Sequence, residues 1–565
     1  MITERVEKFM HLADSLLHGQ ATAKRKEWEK LAMVIAPELV DAAYHKENSP
    51  GEHDRICSEA CECLDKLTGA HISYLTPMGH RWFRFAPWAE NEEGDAAEAE
   101  KSEMWYAKAS DDTFSAVERS NFYDAILKTF FDRVATGTGA AMCEEDIDRM
   151  RLRFTHIPAG TYGFSENAWD EPDTFVRTLQ MSANQLMQAF PDGQFSEQVH
   201  NAYSDLSKRY TDMFDVYHIV MPREEYSDAK FNEFDTSTYP FVSVYIERNE
   251  KTLIDEGGYT EFPFLVTRYN KVGKQVYGTS PFLKAQDIID DIILNDDIAI
   301  EGAKKKVMPP VLAAPEMAGQ IDTGAGGITI VPPQYANSAL PREWALAGDN
   351  RDLLLNLERL EKKMKAITQV EFLEIISSVD KREMTAAEVN ARMSEKVMAY
   401  AATFTRFKID FAPFLIRILH CCVRLNLDSL EGNDVPEEVY VEDGDGNRYL
   451  NSPKVLYIGR MAQAMEIAQL QNVDACVSRA AELAHMNQQP EIMMVFDMEK
   501  VARGQAIAQG MPYRYFRKPR EVQALKEQLQ MAQDKQMLAQ NQLQEAQAAE
   551  HSAKAAQTLA TMENM

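Results

Sequence analysis

The chain has 565 residues, of which 45% are hydrophobic, so it is long and apolar enough for several domain-sized cores. Its net charge of −28 excludes tight, sequence-reading DNA binding over most of the surface, because phosphate contacts require Lys and Arg. Seven cysteines form no dense disulfide framework, so reduced thiols are expected.

The sequence predicts neither a signal peptide nor a membrane span. Its first residues lack a basic segment followed by an apolar core and a cleavage site. The most apolar stretch, Phe411 to Leu425, is interrupted by Arg417, His420 and Arg424 and is shorter than the ~20 residues that cross a bilayer. We therefore expect a soluble chain, made in the cytoplasm, with no membrane partner.

Helix and strand patterns mix in the first 275 residues. Apolar residues at a spacing of about 3.6 predict helices up to about residue 75, and another helix follows Asn121. Alternating aromatics predict a strand before Pro87, and the acidic stretch NEEGDAAEAEKSE after it fits a surface loop or the solvated start of a helix. Between 150 and 270 we expect antiparallel strands with one helix, Ser182 to Phe190.

The pattern changes at Ser280, which is a favourable N-cap before Pro281 at the first helical position. The helix that they open is predicted to be amphipathic, with cations at its carboxyl end and a stop at Pro309. Its apolar face comprises Ala285, Ile288, Ile289, Ile292 and Ile293, its acidic row comprises Asp287, Asp290, Asp291 and Asp297, and its terminal cations are Lys304, Lys305 and Lys306.

Helices dominate the remainder, so the predicted fold class is α+β and predominantly helical. After a strand-and-turn insertion, TGAGGITIVPPQ, we expect a charged helix over Arg351 to Ile367 and a loop over Phe372 to Arg382. A long helix should run from Thr385 to about Leu425, because Thr385 and Glu388 form a capping box. The stretch VYVEDGDGNRYL predicts a hairpin.

Residues 460 to 510 are predicted to be helical, and the tail beyond them is rich in Gln and Ala and free of Gly and Pro after residue 521. Val522, Leu525, Leu529, Ala532, Ala539, Leu543 and Ala546 form a partial heptad seam there, which Gln536 interrupts. Such a helix buries little surface alone, so we expect it to pack against copies of itself.

Two motifs resemble ligand sites but lack required residues. GKQVYGTSP, residues 273 to 281, has the glycines of a phosphate-binding loop, but Thr279 stands where the lysine is required, which favours a structural helix entry. DGDGN resembles the start of a calcium loop, but its sixth position is Arg448 and its twelfth is Lys454, which favours a hairpin turn.

A third cluster, Cys57, Cys61 and Cys63 followed by His71, lies on one predicted helix instead of in two zinc knuckles, which favours small buried hydrophobic side chains. The sequence contains no G-x-S-x-G or H-E-x-x-H signature. We therefore predict no catalytic residue, no cofactor and no metal, and the chain is not expected to be an enzyme.

Five stretches in order over about residues 28 to 425 resemble the head-to-tail connector, or portal protein, of short-tailed double-stranded DNA phages. They are WEKLAMVIAPEL, CLDKLTGAHISYLTPMGHRWFRFAP, NFYDAILKTFFDRVATGTGAAMCEED, RYNKVGKQVYGTSPFLKAQDIIDDIILND and REMTAAEVNARMSEK. Each stretch alone is weak evidence, but five in the family's order are specific. The last hundred residues match mainly in their helical character.

The resemblance implies a portal fold, whose parts can be placed on the predicted elements. They are a wing at 1–275, a stem helix at 276–306, a clip at 307–348, a second stem helix at 349–370, a tunnel loop at 371–384, a long helix at 385–428, a wing or crown hairpin at 429–460, a crown at 461–515 and a C-terminal barrel helix at 516–565.

The resemblance also implies the partners. Such proteins form a ring, typically of twelve subunits, at one capsid vertex of the virion, where a head-to-tail interface closes on itself. The implied partners are other copies of the chain, major capsid and scaffolding proteins, the terminase motor, a tail adaptor and double-stranded DNA that passes non-specifically. The ring would serve capsid assembly, genome packaging and genome ejection, with ATP hydrolysis left to the motor.

In a ring, the charged residues above become candidates for a DNA channel. The acidic row would repel DNA from part of the wall, or it would face a neighbouring subunit. Lys304 to Lys306 and the pair Lys381 and Arg382 would form narrow basic bands that contact phosphates without reading sequence. The candidate tunnel-loop residues are Phe372, Glu374, Ser377, Ser378 and Asp380.

Two alternatives stay open at this point. Another ring-forming phage protein, such as a tail adaptor or an ejection-channel component, would also suit the long Gln- and Ala-rich helix. An enzyme, for example a divergent nucleotide hydrolase, is the alternative from a different class. The order of helix, clip, helix, loop and long helix favours the portal.

Overall fold

The computed structural model describes residues 2–37, 56–88, 96–223, 239–308, 351–370 and 386–425, with shorter stretches elsewhere. The chain divides into two compact units, Met1–Ala468 and Gln469–Met565. In the second unit the described residues include helical stretches at 476–484 and 524–533, as predicted for both regions. Leu525 and Leu529 of the heptad seam are exposed in the single chain.

Helices and strands alternate through the first unit. Its helices are α1 Ile2–His18, α2 Gln20–Ile35, α3 Ser58–Leu75, α4 Ala96–Arg119, α5 Phe122–Thr136, α6 Ala183–Ala189, α7 Glu197–Ser204, α8 Pro281–Lys284, α9 Gln286–Val307, α10 Arg351–Ile367 and α11 Ala386–Arg424. Its strands are β1 Phe83–Ala86, β2 Thr138–Asp146, β3 Arg151–Ile157, β4 Tyr162–Glu166, β5 Pro172–Ser182, β6 Met213–Pro222, β7 Phe241–Glu247, β8 Thr252–Tyr259, β9 Phe264–Arg268, β10 Val311–Leu312, β11 Arg342–Glu343, β12 Tyr440–Glu442, β13 Arg448–Leu450 and β14 Lys454–Tyr457. The mixture of helices and strands is that of an α+β protein.

The predicted antiparallel strands belong to two sheets, a three-stranded sheet in the order β3-β2-β9 and a five-stranded sheet in the order β4-β5-β6-β7-β8. Successive side chains of β6 point to opposite faces of this sheet, as the strand period of two requires. Tyr217 and Ile219 pack with Phe9 and Ala13 of α1, whereas Val216 packs with the helices on the other face. Helix α1 places its buried residues at a helical spacing, so one stripe of it covers one sheet face.

The expectation of one helix between 150 and 270 is wrong, because the structure has two there, α6 and α7. Ser182 and Gln185 form the capping box that opens α6. Ser196 caps α7 by accepting a hydrogen bond from the backbone N–H of Val199. The short α7 forms because Val199 and Ala202, three residues apart, share one buried face.

The acidic stretch after Pro87 contains the start of a helix, since α4 begins at Ala96. The predicted strand before Pro87 is β1, which pairs with β14. The predicted hairpin is confirmed by the antiparallel pairing of β12 with β13. Its turn and most of the insertion TGAGGITIVPPQ lie outside the described residues.

The largest core surrounds the long helix α11. Phe404, Phe407, Phe411 and Phe414 recur every three or four residues along it and are all buried, so they form one apolar stripe. Phe411 lies 5.8 Å from the ring of Phe130 on α5 and 6.3 Å from that of Trp82. Aromatic pairs at such separations add to the stabilisation that burial provides.

The polar residues that interrupt the apolar stretch of α11 anchor this helix to the strands. Arg417 is buried and donates from Nη2 to the backbone oxygen of Cys143 on β2 at 3.1 Å. Its Nη1 lies 3.1 Å from a carboxylate oxygen of Glu261, in the connection between β8 and β9. Nδ1 of His420 lies 2.9 Å from the other oxygen of Glu261, and Arg424 pairs with Glu145 of β2 as well as with Glu261.

A second ionic contact fixes α11 nearer its middle. The buried carboxylate of Asp410 accepts hydrogen bonds from the backbone N–H and from Nη2 of Arg268, at 2.8 and 3.2 Å. Arg268 also pairs with Glu166 of β4, which Lys271 contacts at 2.8 Å. These contacts connect α11, β9 and β4, so the long helix is held against both sheets.

The Glu261 carboxylate stays charged in the fold. Burial alone would raise its pKa, but the hydrogen bond with His420 and the positive charges of Arg424, His420 and Arg417 outweigh burial and hold the pKa well below 4.5. A carboxyl whose pKa is lower in the folded state stabilises the fold above its unfolded pKa, and loses that contribution as the pH falls towards the folded value.

We therefore predict that Glu261→Gln lowers the free energy of unfolding at pH 7 by about 1–3 kcal/mol, because Arg417 loses its charged partner. The difference from the parent chain should stay constant down to about pH 4.5 and shrink below it, because the carboxylate then becomes protonated in the unfolded parent. Thermal unfolding between pH 7 and 3 measures this.

The matched control is Glu62→Gln, which removes an exposed ion pair with Lys66. Its melting temperature should stay close to that of the parent chain at every pH, because exposed pairs contribute little. Equal effects of the two substitutions would contradict the anchoring role of Glu261.

Candidate functional site: the charged helical hairpin

The charged helix α9 follows a structural corner formed by residues 273 to 281, from which the short α8 begins. The backbone N–H of Gly278 donates to the Thr138 hydroxyl at 2.9 Å, and that of Thr279 donates to the Asn270 carbonyl at 2.8 Å. Tyr277 is buried edge-on against Trp28, with ring centroids 5.4 Å apart. The prediction of a structural helix entry is confirmed, since these amides bond to the protein's own strands and loops.

Two glycines allow the corner to approach the end of α5. Gly137 adopts the left-handed conformation, with φ of 94°, as the C-cap of α5. A Cβ on Gly278 would overlap the carbonyl oxygen of Gly137, and a Cβ on Gly137 would lie 2.6 Å from the backbone nitrogen of Ser280. The Ser280 hydroxyl then donates to the carbonyl of Val134 at 2.6 Å, which fixes the start of α8 to α5.

The predicted N-cap is confirmed, but the single helix expected from Pro281 is wrong. Ser280 accepts from the backbone N–H of Phe282, and Pro281 occupies the first turn. One turn later Ala285, with φ of −93° and ψ of 2°, ends α8, and α9 begins at Gln286. Phe282 and Ala285 are completely buried in the core, which holds this turn before α9 starts.

The predicted faces of the helix are confirmed in α9. Ala285, Ile289 and Ile292 are buried, and Ile288 and Ile293 are partly buried against the same core. In the acidic row, Asp287, Asp290 and Asp291 are exposed and Asp297 is half-buried. Asp290 pairs with Lys30 of α2 at 3.3 Å, so one member of the row contacts the chain's own second helix.

Lys304, Lys305 and Lys306 are exposed in the last turn of α9. Lys305 lies 3.5 Å from Glu301, one turn before it, and both side chains are more than half exposed. Three cations at a helix carboxyl end complement the partial negative charge of the last carbonyls. They are therefore a solvent-facing basic cluster that a polyanion can reach.

The predicted tunnel-loop residues lie outside the described residues; they are Phe372, Glu374, Ser377, Ser378 and Asp380. The same is true of Lys381, Arg382 and the predicted N-cap Thr385. The described helices on either side are α10, which ends at Ile367, and α11, which begins at Ala386. The loop therefore stays a prediction from the sequence.

Helix α10 packs beside α9 and carries a basic face that the sequence analysis did not single out. Leu357, Leu360 and Met364 are its buried residues, and Asn356 donates to Asn295 of α9 at 3.3 Å. Its exposed side forms a shallow groove of about 510 Å³, lined by Leu355, Glu358, Arg359, Lys362, Lys363 and Ala366. In the sequence, the i, i+4 spacing of Leu355 and Arg359 indicates that these two side chains share one face of the helix.

The cysteine cluster is part of the apolar core, as predicted. Cys57 and Cys63 are buried, and Cys61 is half-buried with its Sγ 3.1 Å from the carbonyl oxygen of Ile35. Burial raises the pKa of the Cys57 thiol to about 12, so this thiol stays protonated. His71 stacks on Tyr269, with ring centroids 5.7 Å apart. Within the described residues, no three His, Cys, Asp or Glu side chains are placed to share a metal ion.

In the parts of the chain that the structure describes, no helix combines the length and apolar character needed to span a membrane. The apolar part of α11 instead packs within the protein core through its phenylalanines.

This arrangement combines a charged helical hairpin with a long helix that packs on two antiparallel sheets, and the chain that adopts it matches a known family. Residues 15–516 match the model of the bacteriophage head to tail connecting proteins, and the chain belongs to this family.

Two relatives match over most of their length. The portal protein of Salmonella phage epsilon15 is 22% identical over 439 residues, which cover 77% of this chain and 74% of that protein. The probable portal protein of Bordetella phage BPP-1 is 23% identical over 495 residues, which cover 86% and 84%.

We predict that Gly278→Ala lowers the free energy of unfolding by about 1–3 kcal/mol or more, because the new methyl group overlaps the backbone of Gly137 and displaces the corner that starts α8. Thermal or chemical unfolding of the purified chain measures this.

Gly69→Ala is the control, because a Cβ there has no neighbour within 4 Å and the position lies inside helix α3. Its stability should be unchanged or raised by about 0.5–1 kcal/mol. If Gly278→Ala and Gly69→Ala had the same small effect on stability, the close approach of Gly278 to Gly137 would not be what holds the corner.

Proposed function

We propose that this protein is the portal of a short-tailed phage: a ring at one capsid vertex that forms the channel for double-stranded DNA during packaging and ejection. The observation that carries this proposal is the family match over residues 15–516, together with two relatives that are named portal proteins. The ring first docks the terminase motor and then the tail adaptor, and it contacts the major capsid and scaffolding proteins. The protein has no catalytic role of its own.

The proposed parts follow the helices and sheets. Residues 1–275, with the first seven helices and strands β1 to β9, form the wing. Helices α9 and α10 form the paired stem, and residues 307–348 between them form the clip that docks tail components. Residues 371–384 form the tunnel loop, with α11 behind it. The hairpin of β12 and β13 joins wing and crown, residues 461–515 form the crown, and residues 516–565 form the C-terminal barrel.

The charge distribution supports a conduit. A chain with a net charge of −28 repels DNA at short range, so DNA can slide through a ring of such chains without being gripped. Asp287, Asp290, Asp291 and Asp297 are candidates for the channel wall or for a contact with a neighbouring copy. Lys304 to Lys306, and Lys381 with Arg382, are candidates for basic bands that damp or retain DNA through its phosphates.

We predict that the purified chain assembles into a closed ring. For twelve copies, light scattering should give twelve times the chain mass of 64.1 kDa, and electron microscopy should show a stalked ring with a central channel. Immunogold labelling of virions should mark a single vertex.

A stable monomer at high concentration and in the presence of the capsid proteins would contradict the proposal. A ring found only in the tail would instead support a tail adaptor or an ejection-channel component, and ATP hydrolysis by the pure ring would support an enzyme.

We predict that reversing the basic cluster, with Lys304→Glu, Lys305→Glu and Lys306→Glu together, leaves ring formation intact but reduces the DNA retained in filled heads several-fold, because phosphates lose their cationic contacts. Quantitative PCR of nuclease-protected genomes measures this. The same measurement on Lys381→Glu with Arg382→Glu tests the second band.

The control reverses three exposed lysines of the proposed wing, Lys208, Lys251 and Lys274. This variant has the same change in net charge as the variant of Lys304, Lys305 and Lys306, and it should retain a normal amount of DNA. Normal retention in both band variants would exclude a role for the basic bands.

A further inference from the structure

The charged helical hairpin of α9 and α10 has an acidic exposed face on α9. Leu294 and Ile298, one turn apart, are exposed by 57% and 46% at the centre of this face. Carboxylates surround the two apolar side chains at a spacing of three or four residues, which places them on the same side of the helix. We call Asp287, Asp290, Asp291, Leu294, Ile298 and Glu301 the acidic face.

The same hairpin has a basic exposed face on α10. Leu355 is exposed by 64% and lies in the groove that Arg359, Lys362 and Lys363 also line. We call these four residues the basic face. Both faces therefore have an apolar centre with a charged border, an arrangement typical of the patches through which proteins associate.

The two faces point away from the protein core. Leu294 is two residues from the buried Ile292, and Leu355 is two residues from the buried Leu357. Residues two apart on a helix lie about 200° apart, so each exposed leucine is on the side opposite a buried residue. The two helices thus present exposed surfaces of opposite charge, acidic on α9 and basic on α10.

We propose that the acidic face of α9 in one copy packs against the basic face of α10 in the next copy around the ring. This inference rests on the proposed function and assigns the surfaces that join the subunits at the stem. An interface between two different surfaces of the same chain repeats from copy to copy and closes into a ring when its rotation allows. The exposed leucines become buried, and the carboxylates meet Arg and Lys at the border.

The charges indicate that another copy of the chain, and not DNA, covers both faces. The acidic face repels DNA, so a polyanion does not cover Leu294 and Ile298. The groove beside the basic face is also lined by Glu358, and Leu355 lies in it, which suits a protein surface better than a row of phosphates. The acidic row predicted from the sequence is therefore assigned mainly to the subunit interface and not to the channel wall.

Complementary charge reversal of the full chain tests the pairing. Asp290 is left unchanged because its pair with Lys30 joins α9 to α2, whereas the pair of Glu301 with Lys305 is an exposed contact within α9. The first variant combines Asp287→Lys, Asp291→Lys and Glu301→Lys, the second combines Arg359→Glu, Lys362→Glu and Lys363→Glu, and the third contains all six substitutions. A control combines Asp148→Lys, Asp192→Lys and Asp212→Lys at exposed positions of the proposed wing, with the same charge change as the first variant.

Each of the first two variants should need at least a tenfold higher protein concentration to form rings, because like charges then oppose each other across every interface. The third variant should assemble within about threefold of the parent concentration, because every interface again joins opposite charges. The control should assemble like the parent. Analytical ultracentrifugation measures assembly, and circular dichroism of each variant establishes that the chains are folded.

The outcomes separate the two proposals. If the parent chain forms no ring, the proposed function fails. If the parent forms rings and both single-face variants assemble equally well, the portal assignment stands and the pairing of these faces is excluded. If both single-face variants lose assembly and the six-fold variant does not regain it, the two faces do not contact each other and the inference is overturned.

Discussion

The arrangement of the first unit depends on the contacts of one buried group, the guanidinium of Arg417. It ties the long helix α11 to β2 through the carbonyl of Cys143 and to the connection between β8 and β9 through Glu261. An ion removed from water is tolerated only when its partners are close and well placed, and losing one partner is costly. Helix α11 also carries the phenylalanine stripe, so it is fixed in two ways. The ionic contacts hold it to the strands, and the apolar stripe packs it against the core.

The position of the α9 and α10 hairpin is set by packing against the same core. Gly137 and Gly278 allow the corner before α8 to touch the end of α5, and Phe282 and Ala285 bury the single turn that follows. From there α9 extends with only one stripe buried, so its acidic side and the basic side of α10 both stay exposed in the single chain. A surface of this kind suits a subunit that completes its burial against copies of itself, in agreement with the ring proposed above.

Much of the local structure was predictable, because it depends on spacing within a few residues. The cap at Ser280, the apolar stripe of α9, the strand before Pro87 and the hairpin of β12 and β13 all follow from such patterns. Two local predictions were wrong. The helix α7 was overlooked, since its eight residues carry only a cap and one apolar pair, and the break at Ala285 was missed, because a good helix former occupies it. The basic face of α10 was visible only as part of a charged helix.

The sequence by itself determined most of the elements, the faces of the amphipathic helices and the family resemblance, because each depends on short-range spacing or on the order of motifs along the chain. Only the tertiary structure decided what the polar residues of α11 do. Arg417, which looked like an interruption of an apolar stretch, meets partners 156 and 274 residues away in the chain. Likewise, Gly278 contacts Thr138 across 140 residues and also contacts Gly137, the residue before Thr138. Such partners cannot be inferred from spacing, because chain folding and not local geometry brings them together.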